Sequence, residues 1–144
     1  MKRAASFCAE SERSVAEVER RLRKWGVDGD DIDSIIDKLK SDDFVNDERY
    51  CKAYINDRFR LNHWGKVKIV YELKKRGLDK EYIDAAIDDI DDDEYTEVLR
   101  KLIDDKLRTI KATDVYSAKV KILGYALRRG FESDIVSKIL KDVF

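Results

Sequence analysis

The sequence predicts an all-α protein: three tandem three-helix repeats, the first one short, stacked into an elongated or curved array. Three observations predict this. Proline is absent and glycine scarce, one glycine-anchored apolar pattern recurs three times, and an ordinary apolar fraction is carried on an unusually charged chain.

The 144 residues include no proline and six glycines. Sandwiches and barrels need frequent turns rich in those residues, whereas proline-free stretches of Lys, Glu, Asp, Leu, Ile and Ala run as helices without interruption. The chain is 43% hydrophobic and 42% charged with a formal net charge of −1. Disorder needs low hydrophobicity and high net charge together, so the composition points to a folded chain with a heavily charged surface.

The repeat is read from its glycines. Val18 to Leu22 leads to Gly26, Ile69 to Leu73 to Gly77, and Ile122 to Ala126 to Gly130, the glycines lying 51 and 53 residues apart. Each is followed by an apolar residue (Val27, Leu78, Phe131) and an acid (Asp28, Asp79, Glu132). Apolar residues then recur at matching offsets: Ile32, Ile35, Ile36, Leu39; Ile83, Ala86, Ile87, Ile90; Val136, Ile139, Leu140, Val143. The 3-1-3 steps make a one-sided helical stripe. Each unit therefore reads as helix, glycine stop in a left-handed C-cap, and second helix. An upstream helix is expected near 47–61 in the second unit and 94–110 in the third, with a clipped counterpart near 3–11, giving eight or nine helices. The expected divisions are 1–43, 44–92 and 93–144. A helix pair cannot bury its stripe alone, so neighbouring units are expected to stack.

Charge is segregated in blocks. From Arg58 to Arg76 the bases are Arg58, Arg60, Lys66, Lys68, Lys74, Lys75 and Arg76, against Glu72 alone. From Asp79 to Glu97 ten acids face Lys80, and from Arg100 to Arg129 nine bases face three acids. The basic block carries Trp64 beside Gly65, a combination suited to a phosphate backbone or an acidic protein groove; Trp64 as a seal on the core is the competing reading. Trp25, just before Gly26, reads as core.

Several chemistries fail. The Leu22–Gly26–Ile32 spacing matches a helix-turn-helix skeleton, but its second helices carry Asp30, Asp31, Asp33 and Asp37, or Glu81, Asp84, Asp88 and Asp89, which repel DNA. Residues 28–33 lack the glycine of a calcium loop. One histidine and two distant cysteines, Cys8 and Cys51, offer no zinc spacing and no nucleophile–base pair. A Gly-rich phosphate loop is absent. No catalytic residue, metal or cofactor is expected. The opening residues turn acidic before any signal-peptide apolar run and no membrane span is present, so a cytoplasmic location is expected.

The stretch Asp42-Asp-Phe-Val-Asn-Asp-Glu-Arg-Tyr50, then Ala53-Tyr54, Arg58 and Trp64-Gly65, and later Glu72-Leu73-Lys74 and Arg76-Gly77-Leu78, resembles the RecX family of recombination regulators. The resemblance implies three tandem three-helix units and a small inhibitor that lodges on the RecA nucleoprotein filament, blocks its extension and acts in DNA repair and the SOS response. It implies the RecA filament as protein partner, a weak contact with DNA and a monomeric chain. Of the matched residues, Tyr50 reads as core, Asp47 as the N-cap of its helix, and Arg49 as either a partner contact or an internal bridge. Arg49 with Arg58, Arg60, Lys66, Lys68, Lys74, Lys75 and Arg76 is the candidate partner or nucleic-acid face. A direct single-stranded nucleic-acid-binding module, or a helical scaffold that does not bind RecA, are the alternatives.

Overall fold

The computed structural model describes residues 1–144, which form nine α-helices and no strand. They are α1 (Lys2–Glu10), α2 (Val15–Lys24), α3 (Gly29–Ser41), α4 (Asp47–Arg60), α5 (Lys66–Lys75), α6 (Lys80–Asp88), α7 (Asp92–Thr109), α8 (Val115–Arg128) and α9 (Ser133–Val143). None is long and apolar enough to cross a membrane.

The three anchoring glycines do one identical job. Gly26, Gly77 and Gly130 have φ of 84°, 84° and 96°. At each, the glycine amide donates three residues back and the following amide donates five back. Thus Val27 N–H bonds Leu22 O (3.0 Å), Leu78 N–H bonds Leu73 O (3.2 Å), and Phe131 N–H bonds Ala126 O (3.1 Å). This is the Schellman closure, and the apolar residue after each glycine is the one whose contact with the preceding turn accompanies it. The same closure ends α3 without glycine: Asp43 takes φ 61° and Phe44 N–H bonds Leu39 O at 2.8 Å. Asp is among the few residues that visit this region routinely.

The helix starts are capped by side chains. Ser14, Asp91 and Asp114 accept from the amides of Glu17 (3.1 Å), Glu94 (2.9 Å) and Ser117 (2.7 Å). The expected Asp47 cap is corrected by the structure. Asn46, one residue earlier, accepts the Arg49 amide at 3.0 Å, which frees the Asp47 carboxylate to accept the Val15 amide of α2 at 2.8 Å. Asp47 thus satisfies a donor at the start of a helix 32 residues away.

By packing, the chain groups into two compact units. One comprises Met1–Tyr54 with Leu73–Ala86. Its core joins Ala4, Phe7 and Cys8 of α1 to Val18 and Leu22 of α2 and Ile32, Ile36 and Leu39 of α3, with Val45. Tyr50, Cys51, Tyr54, Leu73, Leu78 and Ile83 are buried as well. The other comprises Ile55–Glu72 with Ile87–Phe144. There α7, α8 and α9 pack pairwise around Leu99, Ile103, Ile122, Ala126, Val136 and Ile139. Phe59, Tyr95 and Phe131 form a run of rings with centroids 5.6 and 5.2 Å apart. The predicted stripes are buried at Ile32, Ile83 and Val136, but Val143 in the last turn of α9 is 38% exposed.

At Gly77 an added Cβ would meet nothing within 4 Å, so only the backbone conformation opposes a side chain. Gly77→Ala is therefore expected to lower the unfolding free energy by about 1 kcal/mol, and Gly77→Asn by less, as shifts in urea midpoint at constant slope.

Candidate functional site

The turn that ends α4 is held by close backbone approach to the turn that ends α8. His63 leaves the helix at φ 55°, and Gly65 then runs against the α8–α9 turn. Gly65 N–H donates to Arg129 O at 2.7 Å, and Val67 N–H to Gly130 O at 2.9 Å. A Cβ on Gly65 would lie 2.2 Å from the Gly130 carbonyl carbon; one on Gly130 would lie 2.3 Å from the Lys68 Cβ. Only two glycines facing each other permit this approach. The Arg129 guanidinium fastens the outer side, donating to the carbonyl oxygens of Asn62 and of His63 (3.3 Å).

Beneath the turn, the Tyr95 hydroxyl donates to the Glu132 carboxylate and accepts the Lys66 amide at 2.9 Å. Burial, reinforced by Glu132, holds that hydroxyl far above the ordinary tyrosine value. Glu132, which the sequence places at a helix start, makes no side-chain cap there and serves this hydroxyl instead.

Trp64, beside the clasp, is half-buried with cations near its ring: Arg58 at 5.3 Å and Lys68 Nζ at 4.3 Å from the centroid. The ring is thus both a partial seal and the centre of a small cationic patch. Arg58 also donates to the Asn62 side chain at 3.0 Å. The two remaining candidate cations of this unit are partly neutralised by α7, since Arg60 pairs with Glu94 at 3.3 Å and Lys66 with Asp92 at 3.8 Å. Lys66 also lies 4.6 Å from the Tyr95 ring centroid.

In the other unit the candidates divide the same way. Arg49 is an internal bridge: its Nε sits 2.7 Å from Glu12, and its guanidinium reaches the Asp43 carboxylate at 3.1 Å. That hydrogen bond with Glu12 raises its pKa further. Arg76 is half-buried, donating to the Tyr50 hydroxyl at 3.3 Å and lying 5.1 Å from the Tyr54 ring centroid. Lys74 and Lys75, in the last turn of α5, are exposed and make no ion pair. They suit a helix C-terminus and keep their charge available to a partner. Arg129 escaped the sequence reading, and its one signal was its place directly before a repeat glycine.

Both cysteines are buried. Burial, with Asp47 and Asp79 near it, pushes the Cys51 thiol up to about 11, and burial raises Cys8 as well. Neither is a thiolate at neutral pH, so neither has the character of a reactive nucleophile.

Three family models match the chain in tandem: the first three-helix domain of RecX over residues 1–39, the second over 46–87 and the third over 92–140. The chain belongs to the RecX family. Relatives named regulatory protein RecX are 32% identical over 99% of this chain in Clostridium acetobutylicum and 32% identical over 88% in Clostridium beijerinckii. The chain spans 67% and 60% of those relatives' own lengths. The crystal structure of RecX from Lactobacillus salivarius superimposes with a TM-score of 0.87 at 25% identity, covering 98% of this chain and 92% of that one. In this RecX chain Arg49 and Tyr50, which follow the 42–48 stretch, are a structural bridge and a core ring.

Two predictions concern the clasp and its tyrosine. Gly65→Ala must separate two backbones and break two hydrogen bonds, so a loss of about 3 kcal/mol or more is expected in urea unfolding, well beyond that of Gly77→Ala. Tyr50 is also raised, to about 12, first by burial and then by its hydrogen bond to Glu17. A hydroxyl kept neutral in the fold stabilises fully below the ordinary tyrosine value of 10.0, and that contribution is lost as pH rises through the folded value. Stability should therefore fall above pH 10, and Tyr95→Phe should flatten that fall while weakening the protein by about 1–3 kcal/mol near neutrality.

Proposed function

We propose that this protein is a non-enzymatic cytoplasmic regulator of homologous recombination that binds the RecA nucleoprotein filament and inhibits its extension. The observation that carries the reading is the tandem match of all three RecX domains, in order, over residues 1–140. The chemistry of the side chains supports it. The cysteines are protonated and buried, and the candidate cations are devoted to bridges, rings or open surface. Such a chain acts by occupying a surface, with charge complementarity setting encounter and register. Lys74 and Lys75 are the open cations, and Lys68 beside Trp64 supplies a further charge next to an aromatic anchor; this set is the proposed contact with the filament.

The test is co-sedimentation with RecA filaments, with and without DNA, alongside RecA ATPase and strand-exchange rates. Inhibition that rises with protein concentration and saturates is expected, and rates unchanged at saturating protein would refute the reading. Replacing Lys68, Lys74 and Lys75 by Ala should weaken inhibition severalfold and make it less sensitive to salt, with circular dichroism unchanged. Inhibition that survives this change would move the contact elsewhere.

A further inference from the structure

A cavity of about 260 Å³ opens between α1 and α2, lined by Phe7, Arg13, Glu17, Arg20, Arg21 and Lys24. Four cations and one carboxylate border it, a local charge of +3. The carboxylate is already engaged: Glu17 receives the Ser14 hydroxyl at 3.5 Å and the Tyr50 hydroxyl, and pairs with Arg13 at 3.9 Å. Arg20, Arg21 and Lys24 make no ion pair, and they follow Glu17 at steps of three, four and seven along one face of α2. Like charges gathered on one helix face repel one another unless an anion sits among them.

The arginines are also held in place. Arg13 lies 4.0 Å and Arg21 4.7 Å from the Phe7 ring centroid, and Arg13 Nε donates to Phe7 O at 3.2 Å. Phe7 in turn meets Trp25 edge to face at 6.1 Å, and Arg3 lies 4.0 Å from the Trp25 centroid. Arg13 is engaged on its own account, its Nη2 pairing with Glu10 at 3.4 Å, whereas Arg21, held on the ring and without an ion pair, has less entropy left to lose on binding, which favours bidentate contact with phosphate oxygens.

We propose that this cavity binds the phosphodiester backbone of a single-stranded nucleic acid. A protein segment fits it poorly. Phe7, the one apolar residue in the wall, is buried and has two arginines against its ring, so no pocket remains for the apolar anchors that protein interfaces depend on. A strand needs no such anchor. It delivers regularly spaced charge, and its binding is driven by release of condensed counterions. The site lies outside the basic 58–76 block and reads no base identity.

The test uses the full chain and a fluorescein-labelled oligothymidylate of about 20 nucleotides, followed by anisotropy across a salt series. Removing three phosphate contacts with Arg20→Ala, Arg21→Ala and Lys24→Ala together should reduce the slope of log affinity against log salt by about 2 and weaken binding at least tenfold near physiological salt. Arg20→Ala with Lys24→Ala leaves the Phe7 stack intact and should show about two-thirds of that change in slope. Lys101→Ala, Lys138→Ala and Lys141→Ala remove equal charge elsewhere and should leave binding unchanged. The assignment is overturned if the parent chain does not bind, if both α2 variants bind as the parent does, or if the distant variant loses as much. Thermal protection by tripolyphosphate without oligothymidylate binding would identify free polyphosphate as the ligand and overturn the strand assignment. No recombinase is present, so failure here is distinct from failure of the filament reading.

Discussion

Two backbones meeting without side chains between them set the conditions for the rest of the second compact unit. Gly65 and Gly130 approach so closely that a methyl group on either would collide with main chain or with Lys68. The approach lets the turn after α4 donate hydrogen bonds to the turn after α8. It fixes where α5 begins, and so brings the Lys66 amide onto the Tyr95 hydroxyl. The Phe59–Tyr95–Phe131 run of rings and the placement of Trp64 between Arg58 and Lys68 follow from the same register. Gly130 is doubly constrained, since its positive φ closes α8 while its missing side chain admits Lys68.

The first unit solves an equivalent problem with charge rather than glycine. Asp47 caps α2 from the start of α4, Arg49 ties the α1–α2 linker at Glu12 to the α3–α4 turn at Asp43, and Ser14 is buried with its hydroxyl satisfied. Half-buried, multiply bonded ionic contacts of this kind define geometry more than they add stability, because desolvation offsets much of their attraction. The acidic stretch around residue 47 is thus explained by packing before any partner is invoked. The positive charge that remains open in this unit is concentrated at the end of α5 and along α2.

The three-fold pattern and a count of eight or nine helices were legible because both are local. A Schellman closure uses amides within five residues of one another, and a 3.6-residue stripe needs only the chain itself to display it. Partners distant in sequence were not legible. Asp47 looked like a cap and is one, but for α2, because Asn46 had already taken the nearer site. Glu132 looked like a helix-start acid and instead receives the Tyr95 hydroxyl. Of the eight candidate basic residues, sequence alone raised an internal role only for Arg49 and treated the other seven alike. Tertiary packing commits Arg49 and Arg76 to internal contacts and Arg60 and Lys66 to acids of α7, and leaves Lys74 and Lys75 open.

The sequence by itself determined the fold class, the helical unit and its stops, the family and the burial of most stripe positions. These rest on periodicity and on backbone conformations that few residues adopt. Tertiary structure alone decided which cations are available, why Gly65 must be glycine, and that an open cationic cleft lies between α1 and α2. Those properties depend on distances between residues far apart in the chain. Coulomb attraction and steric exclusion act over a few ångströms of space and have no fixed signature in sequence separation.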